Sequence, residues 1–246
     1  MKELPVEKIA RQFSVITSAD KDFLIRDYIS PVINGRTITF KNDVKTKGCG
    51  RSVKSQKFFD YCKQYVAFYQ SRSYQFLFHD YSLGRFIYEF DDSDHLLSYN
   101  LYWNPCPLRL KFIEDLEEIG WDFSDYIDNM VDNETVRLDD IILRTPIRLD
   151  YIRDYDGTKP ELHPDFHMHF QNKNTRVKSE GILTLYSYLL FIIENCYPDI
   201  YKDEEYQSEI ENLRRLDREA CIGISVLSKP GKSILGYDIH TLIKYS

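Results

Sequence analysis

The residues able to do chemistry are concentrated in one segment, Ile147 to Ser179, which reads IRLDYIRDYDGTKPELHPDFHMHFQNKNTRVKS. Two histidines, His167 and His169, stand two positions apart in it. Successive side chains of a strand point to opposite faces, so parity sorts the residues around them. From Asp165 to Phe170 the even positions Phe166, Met168 and Phe170 are apolar, and the odd positions Asp165, His167 and His169 are polar. Upstream, Ile147, Leu149 and Tyr151 share one parity. Arg148, Asp150 and Asp154 share the other, with Ile152 the exception. A helix through 163–171 would scatter both sets. With a turn inside Gln171–Asn174, pairing Met168 with Val177 keeps the apolar face continuous, whereas a slip of one residue sets Arg176 against Phe170. The favoured register places His169 beside Arg176 and His167 beside Lys178. If the strand at 147–155 lies on the other side, Arg148 and Asp150 join the same surface of the sheet.

That set suits phosphate chemistry. Two imidazoles at i, i+2 with Asp150 or Asp165 could ligate a divalent metal ion that activates water. Without a metal, the imidazoles could act as acid and base while Arg148 and Arg176 hold a phosphate group. The candidate catalytic residues are therefore His167, His169, Asp150 and Arg148. Arg176 and Lys178 are the candidate phosphate-binding residues, and His167, His169 and Asp165 the candidate metal ligands. The plainer alternative is a solvated sheet face whose cross-strand His, Arg and Asp pairs stabilise the sheet or meet a partner protein.

Other motifs fall short. Gly231-Lys232-Ser233 would need a glycine at Val226 to be a phosphate-binding loop, and H-E-x-x-H, G-x-S-x-G and G-x-G-x-x-G are absent. Asp91-Asp92-Ser93-Asp94 lacks the glycine and distal glutamate of a calcium loop and reads as a solvated turn. Lys45, Lys47, Arg51 and Lys54 form a basic loop that could touch phosphate. The cysteines at 49, 62, 106, 196 and 221 show no C-x-x-C spacing, which suits reduced thiols and not a disulfide or zinc framework.

The elements that must position the segment follow from periodicity. Residues 4–30 read as helical, 35–40 as a short strand, and 58–69 as a helix with Phe58, Cys62, Tyr65, Val66 and Tyr69 on one stripe. Residues 74–81 and 85–90 read as a hairpin, and 95–103 as a further strand. An acidic helical region spans 112–130, and strand character runs from 136 to 155. Two short strands flank Asn172. A buried helix covers 182–196, another covers 203–219, and a strand at 221–227 precedes a terminal helix. Strands grouped in meanders predict an α+β fold, a mainly antiparallel sheet flanked by helices. We read one domain over 1–246, helical over 1–72, with the sheet core at 73–180 and a second helical part at 181–246.

Composition narrows the class. Of 246 residues, 32 are Lys or Arg and 39 are Asp or Glu, a net charge of −7 that argues against nonspecific coating of DNA. The first residues lack an unbroken apolar signal core, and the longest apolar run, near 183–196, is interrupted by Thr184, Ser187 and Glu194. A cytoplasmic protein without membrane attachment is expected.

Two short likenesses surround the histidines. His167-Met168-His169-Phe170-Gln171 resembles the His-φ-His-φ-Gln core of the histidine-triad superfamily, although Asn172-Lys173 is polar where that pattern is apolar. Histidine pairs after an R-x-D segment also resemble small RNase-like toxins. A broader likeness rests on Arg148-x-Asp150-Tyr151, His167-x-His169, Arg176 and the helix ending Phe191-Ile192-Ile193-Glu194-Asn195-Cys196-Tyr197-Pro198. On these residues the chain resembles the bacterial family called domain of unknown function 2290. That resemblance implies a place among mobile-element and phage-defence genes, but no activity to carry over. Two expectations follow. One is a defence effector with nuclease or phosphoesterase-like chemistry, a hydrolase with an optional divalent cation acting on nucleic acid or another phosphate ester. The other is a non-catalytic subunit docked on a protein of the same operon, such as an ATPase or nuclease, through the acidic helices at 114–128 and 203–219.

Overall fold

The structure is a computed structural model that describes residues 3–19, 24–42, 54–133, 137, 139–153, 166–170, 176–178 and 184–221, with the backbone alone at 19, 54–59, 176–178 and 221. Its centre is one nine-stranded antiparallel sheet. The strands are β1 (Ile25–Tyr28), β2 (Val32–Asn34), β3 (Thr37–Thr39), β4 (Phe76–Phe78), β5 (Leu83–Phe90), β6 (Leu96–Asn104), β7 (Ile147–Ile152), β8 (Phe166–Phe170) and β9 (Arg176–Lys178). The spatial order is β1-β4-β5-β6-β7-β8-β9, with the β2–β3 hairpin joined to β5 through β3. The expected α+β class, an antiparallel sheet flanked by helices, is what the chain adopts.

Helices cover the sheet as α1 (Pro5–Ala19), α2 (Lys54–Gln70), α3 (Leu110–Glu118), α4 (Phe123–Asp132), α5 (Leu185–Cys196), α6 (Pro198–Lys202) and α7 (Gln207–Cys221). Helix α1 presents Val6, Ile9, Phe13 and Ile16, and α5 buries every residue from Leu185 to Ile193 except Ser187. With α7 they enclose a core against Phe86, Tyr88 and Phe90 of β5, Tyr99, Leu101 and Trp103 of β6, Ile147, Leu149 and Tyr151 of β7, and Met168 of β8. These are alternate residues, so one face of β5 to β8 packs on α1, α5 and α7. A second core joins α2, α3 and α4 to Tyr74, Leu77, Tyr81 and Leu83, near the start of the β4–β5 hairpin. Gly84 belongs in that hairpin because a Cβ there would lie 3.1 Å from the Phe76 side chain.

Helix α5 is held in place by polar contacts. Its N-cap Thr184 accepts a hydrogen bond from the Ser187 amide at 2.9 Å, and Asp217 of α7 accepts from both hydroxyls. The Tyr188 hydroxyl donates to the Tyr102 carbonyl at 2.7 Å, tying α5 to β6.

Several sequence expectations need correction. The helix read over 4–30 stops at Ala19, because the apolar spacing ends with Ile16, and Leu24-Ile25 turns inward as strand β1 beside β4. The acidic helical region at 112–130 is two helices, broken at Gly120, whose φ of +76° ends α3. Among the described residues of the strand read over 136–155, the strand covers 147–152. Ile141 makes an isolated bridge with Leu108, and Pro146 stands just before β7. Pro198 follows the end of α5 and is also the first residue of α6. The strand and terminal helix read after 221 lie outside the described residues, apart from Cys221, which ends α7.

Asp91 anchors the β5–β6 turn. Its Oδ1 accepts from the amides of Ser93 and His95 at 2.8 and 2.9 Å, and its Oδ2 from Arg153 Nη1 at 2.8 Å, just past β7. The His95 and Ser93 amides and the Arg153 guanidinium hold this carboxyl down to about 2.

Two outcomes test this packing. Leu189→Asp should leave little folded protein, since it places an unpaired charge beneath α5 at a cost of more than about 4 kcal/mol; circular dichroism and thermal melts read it. Asp91→Asn should melt below the wild type at neutral pH. The depressed carboxyl contributes stability that is present above the unfolded value near 4 and lost as pH falls toward 2. The gap between the two melting curves should therefore close across that window.

Candidate functional site

The register of five adjacent strands, β5 to β9, builds the site. Paired residues run across the sheet in rows, and three rows matter. Phe86, Leu101, Leu149, Met168 and Val177 form an apolar row. On one side of it runs Arg85–Tyr102–Arg148–His169–Arg176, and on the other Ile87–Asn100–Asp150–His167–Lys178. Neighbouring rows alternate between faces, so the described side chains of the two outer rows on β6, β7 and β8 share the face opposite α5. The pairings expected from sequence, Met168 with Val177, His169 with Arg176 and His167 with Lys178, all occur, and Arg148 and Asp150 lie opposite the histidines.

Four side chains converge on one carboxylate. Arg148 Nε and Nη2 both lie 2.8 Å from Asp150 Oδ2. His169 Nε2 lies 3.2 Å and His167 Nε2 3.5 Å from the same oxygen. Asn100 Nδ2 donates to the other oxygen, Oδ1, at 2.7 Å. The two imidazoles meet edge to face, with ring centroids 4.8 Å apart. Asp150, His167 and His169 bring one ligand atom each to within 4.8 Å of one another, close enough for a cation to be held among them.

Burial differs from the expectation of an open polar surface. His167, His169 and Asp150 are 1%, 5% and 3% exposed, while Phe166 and Phe170 on the apolar parity are only half-buried. Of the three residues whose apolar parity predicts burial, Phe166, Met168 and Phe170, Met168 alone is fully buried. Phe166 stacks on Tyr151 at 4.4 Å, at the margin of the core and not in its middle. Met168 on one face of β8 and the two histidines on the other are all buried, so polarity alone could not say which side met solvent. Arg148 is the outermost member of the cluster, with its side chain 34% exposed.

The buried cation at the head of the first row, Arg85, has a structural place. It lies between the rings of Phe40 and Phe68 at 4.2 and 3.7 Å and donates through Nε to the Ser73 carbonyl at 2.5 Å. A separate polar cluster pins the sheet end to α5. There Arg144 pairs with Asp80, and Asp80 accepts from Tyr197 at 2.9 Å. Burial pushes the thiols of Cys62, Cys106 and Cys196 up to about 12, so none of the three is a poised nucleophile.

Of the candidates, Arg148, Asp150, His167 and His169 come together, and Arg176 and Lys178 take their predicted places in the ladder. Asp165 and Asp154, proposed for the same face, lie outside the described residues, as do Lys45, Lys47, Arg51 and the Gly231-Lys232-Ser233 turn; Lys54 begins α2. The Asp91–Asp94 string is a turn, as read. Asn100 was missed. The polar parity of Ser98, Asn100 and Tyr102 was visible, but the 42 residues between Asn104 and Ile147 hid which of them would meet Asp150.

No curated protein and no solved structure matches the chain. A family model described as "Uncharacterized conserved protein (DUF2290)" matches residues 24–223, a span that contains every strand of the sheet and the whole Asp150–His167–His169 cluster. The chain therefore belongs to the family of the domain of unknown function 2290.

Proposed function

We propose that the protein is a hydrolase of phosphodiester or phosphate-ester bonds, with its reacting centre at Asp150, His167 and His169 and a divalent cation as cofactor. One observation carries the reading. The Nε2 atoms of His169 and His167 stand 3.2 and 3.5 Å from Asp150 Oδ2. N–H···O hydrogen bonds favour about 2.7–3.2 Å. Ligand atoms bound at about 2.0–2.1 Å to a tetrahedral cation lie roughly 3.3 Å apart, between the two spacings, and the longer spacing exceeds the hydrogen-bond range. Imidazole with carboxylate suits a first-row divalent ion such as zinc or manganese. The metal-free route is set aside because both imidazoles aim at the same carboxylate oxygen.

A cation held there would polarise a water for attack at phosphorus and offset the phosphate charge. The chain supplies the rest. Arg148 lies at the outer edge of the cluster, and Arg176 and Lys178 stand opposite the histidines in the ladder, cations suited to the non-bridging phosphate oxygens. Among the described residues no helix is long and apolar enough to cross a membrane. A cytoplasmic effector in a phage-defence operon is the setting that the family resemblance suggests.

A second reading is a non-catalytic subunit, favoured by the near-complete burial of both histidines. Its contact would be the α3–α4 corner, where Ile119 and Trp121 are exposed among Glu114, Glu117, Glu118, Asp122 and Asp125. The partner would be a basic protein of the same operon.

Hydrolysis of single- and double-stranded RNA and DNA, and of chromogenic phosphate esters, with manganese, zinc, cobalt or magnesium separates the two readings. The wild type should turn over with at least one cation. The His167→Ala, His169→Ala double variant should lose about 100-fold or more in rate. Because both rings are buried, it should also lose roughly 1–3 kcal/mol of stability, so folding is checked by circular dichroism at the assay temperature. Full activity in that variant would end the catalytic reading. Arg176→Lys should raise KM about tenfold with kcat held, since an ammonium cannot reproduce two parallel hydrogen bonds to phosphate.

A further inference from the structure

Resting on the metal-centre reading above, we infer that Arg148 is the internal counter-cation of Asp150, and that a dication entering the cluster must displace it, which frees its guanidinium for a phosphate ligand. The observations concern a single oxygen. Asp150 Oδ2 faces Arg148 Nε and Nη2 at 2.8 Å each and the two histidine Nε2 atoms at 3.2 and 3.5 Å. Oδ1 is engaged by Asn100 at 2.7 Å, so the carboxylate cannot turn a fresh oxygen to a metal without breaking that bond. A carboxylate oxygen offers about two lone-pair directions, and a guanidinium donating twice to it occupies both. A dication and a guanidinium on one buried oxygen also repel, with little solvent to screen them.

The side chain able to leave is identified by exposure. Asp150 and the two histidines have side chains 2–6% exposed, whereas Arg148 is 34% exposed and reaches back along its own strand from two residues away. Of these four side chains it has the most solvent to swing into. Once outside, it lies beside the metal position with its five donors unspent, where a phosphate oxyanion would bridge guanidinium and cation. Binding is thus ordered: the cation first, then the anion. In its absence Arg148 keeps the buried carboxylate compensated.

The test titrates cobalt(II), and then inorganic phosphate, into the wild type, Arg148→Gln, and Arg148→Gln combined with His169→Ala. Calorimetry and the cobalt absorption band report binding, and the melting temperature with and without cobalt gives a second reading should Arg148→Gln be marginally folded. Arg148→Gln should bind cobalt at least tenfold more tightly than wild type and gain more in melting temperature on loading. The combined variant should lose that gain. Phosphate should bind the cobalt-loaded wild type, bind the metal-free protein at least tenfold more weakly, and bind cobalt-loaded Arg148→Gln at least tenfold more weakly than loaded wild type. Equal cobalt affinity in wild type and Arg148→Gln would overturn the displacement while leaving the metal centre standing. Absence of cobalt binding in both proteins would overturn the metal centre itself, and the displacement with it.

Discussion

A carboxylate enclosed by a sheet must find compensating charge within reach of its own strand and its two neighbours, and Asp150 does so from every direction available. Isolated in a medium of low dielectric it would cost tens of kcal/mol. With Asn100 from β6, Arg148 from its own strand and two imidazoles from β8, it becomes the point on which three strands agree. A single-residue slip of β8 would carry both histidines to the α5 face and bring apolar side chains against Asp150. Removing one partner from a buried ion pair typically costs about 3–5 kcal/mol, so the cluster helps specify the register that also aligns Leu149 with Met168.

The rest of the molecule packs the opposite face of the sheet and keeps the strands in order. Alternating apolar residues of β5 to β8 pack on α1, α5 and α7, and α5 is tied to the sheet through Tyr188 and Tyr102, next to Arg148 in its row. The Asp91 turn joins the β5–β6 hairpin to Arg153 beyond β7, which holds the ends of the site strands together. Arg148 is more exposed than Asp150 and the two histidines, which is why the ordered binding inferred above turns on that side chain.

Parity was enough to read the local pattern. The polar set on 147–152 and 166–170 and the register of β8 with β9 were legible because one slip would have set Arg176 against Phe170 on the apolar parity. Three things were not legible. The burial of His167 and His169 depends on what covers the second face of the sheet, and alternation carries no information about that. The role of Asn100 depends on a pairing across 42 intervening residues that include α3 and α4. The end of α1 was misread because, although the apolar spacing stops at Ile16, nothing local shows that Ile25 pairs with Phe78 of β4. Local periodicity names faces and short-range pairing, while the long-range ladder decides what those faces meet.

The central claim is that Asp150, His167 and His169 form one cation centre. Diffraction from crystals loaded with cobalt(II) or zinc, with data collected on either side of the metal absorption edge, tests it most directly. A single anomalous peak is predicted, bonded at about 2.0–2.2 Å to a carboxylate oxygen of Asp150 and to Nε2 of both histidines. A peak elsewhere, or none, with Arg148 still paired to Asp150 in fully loaded crystals, would contradict it.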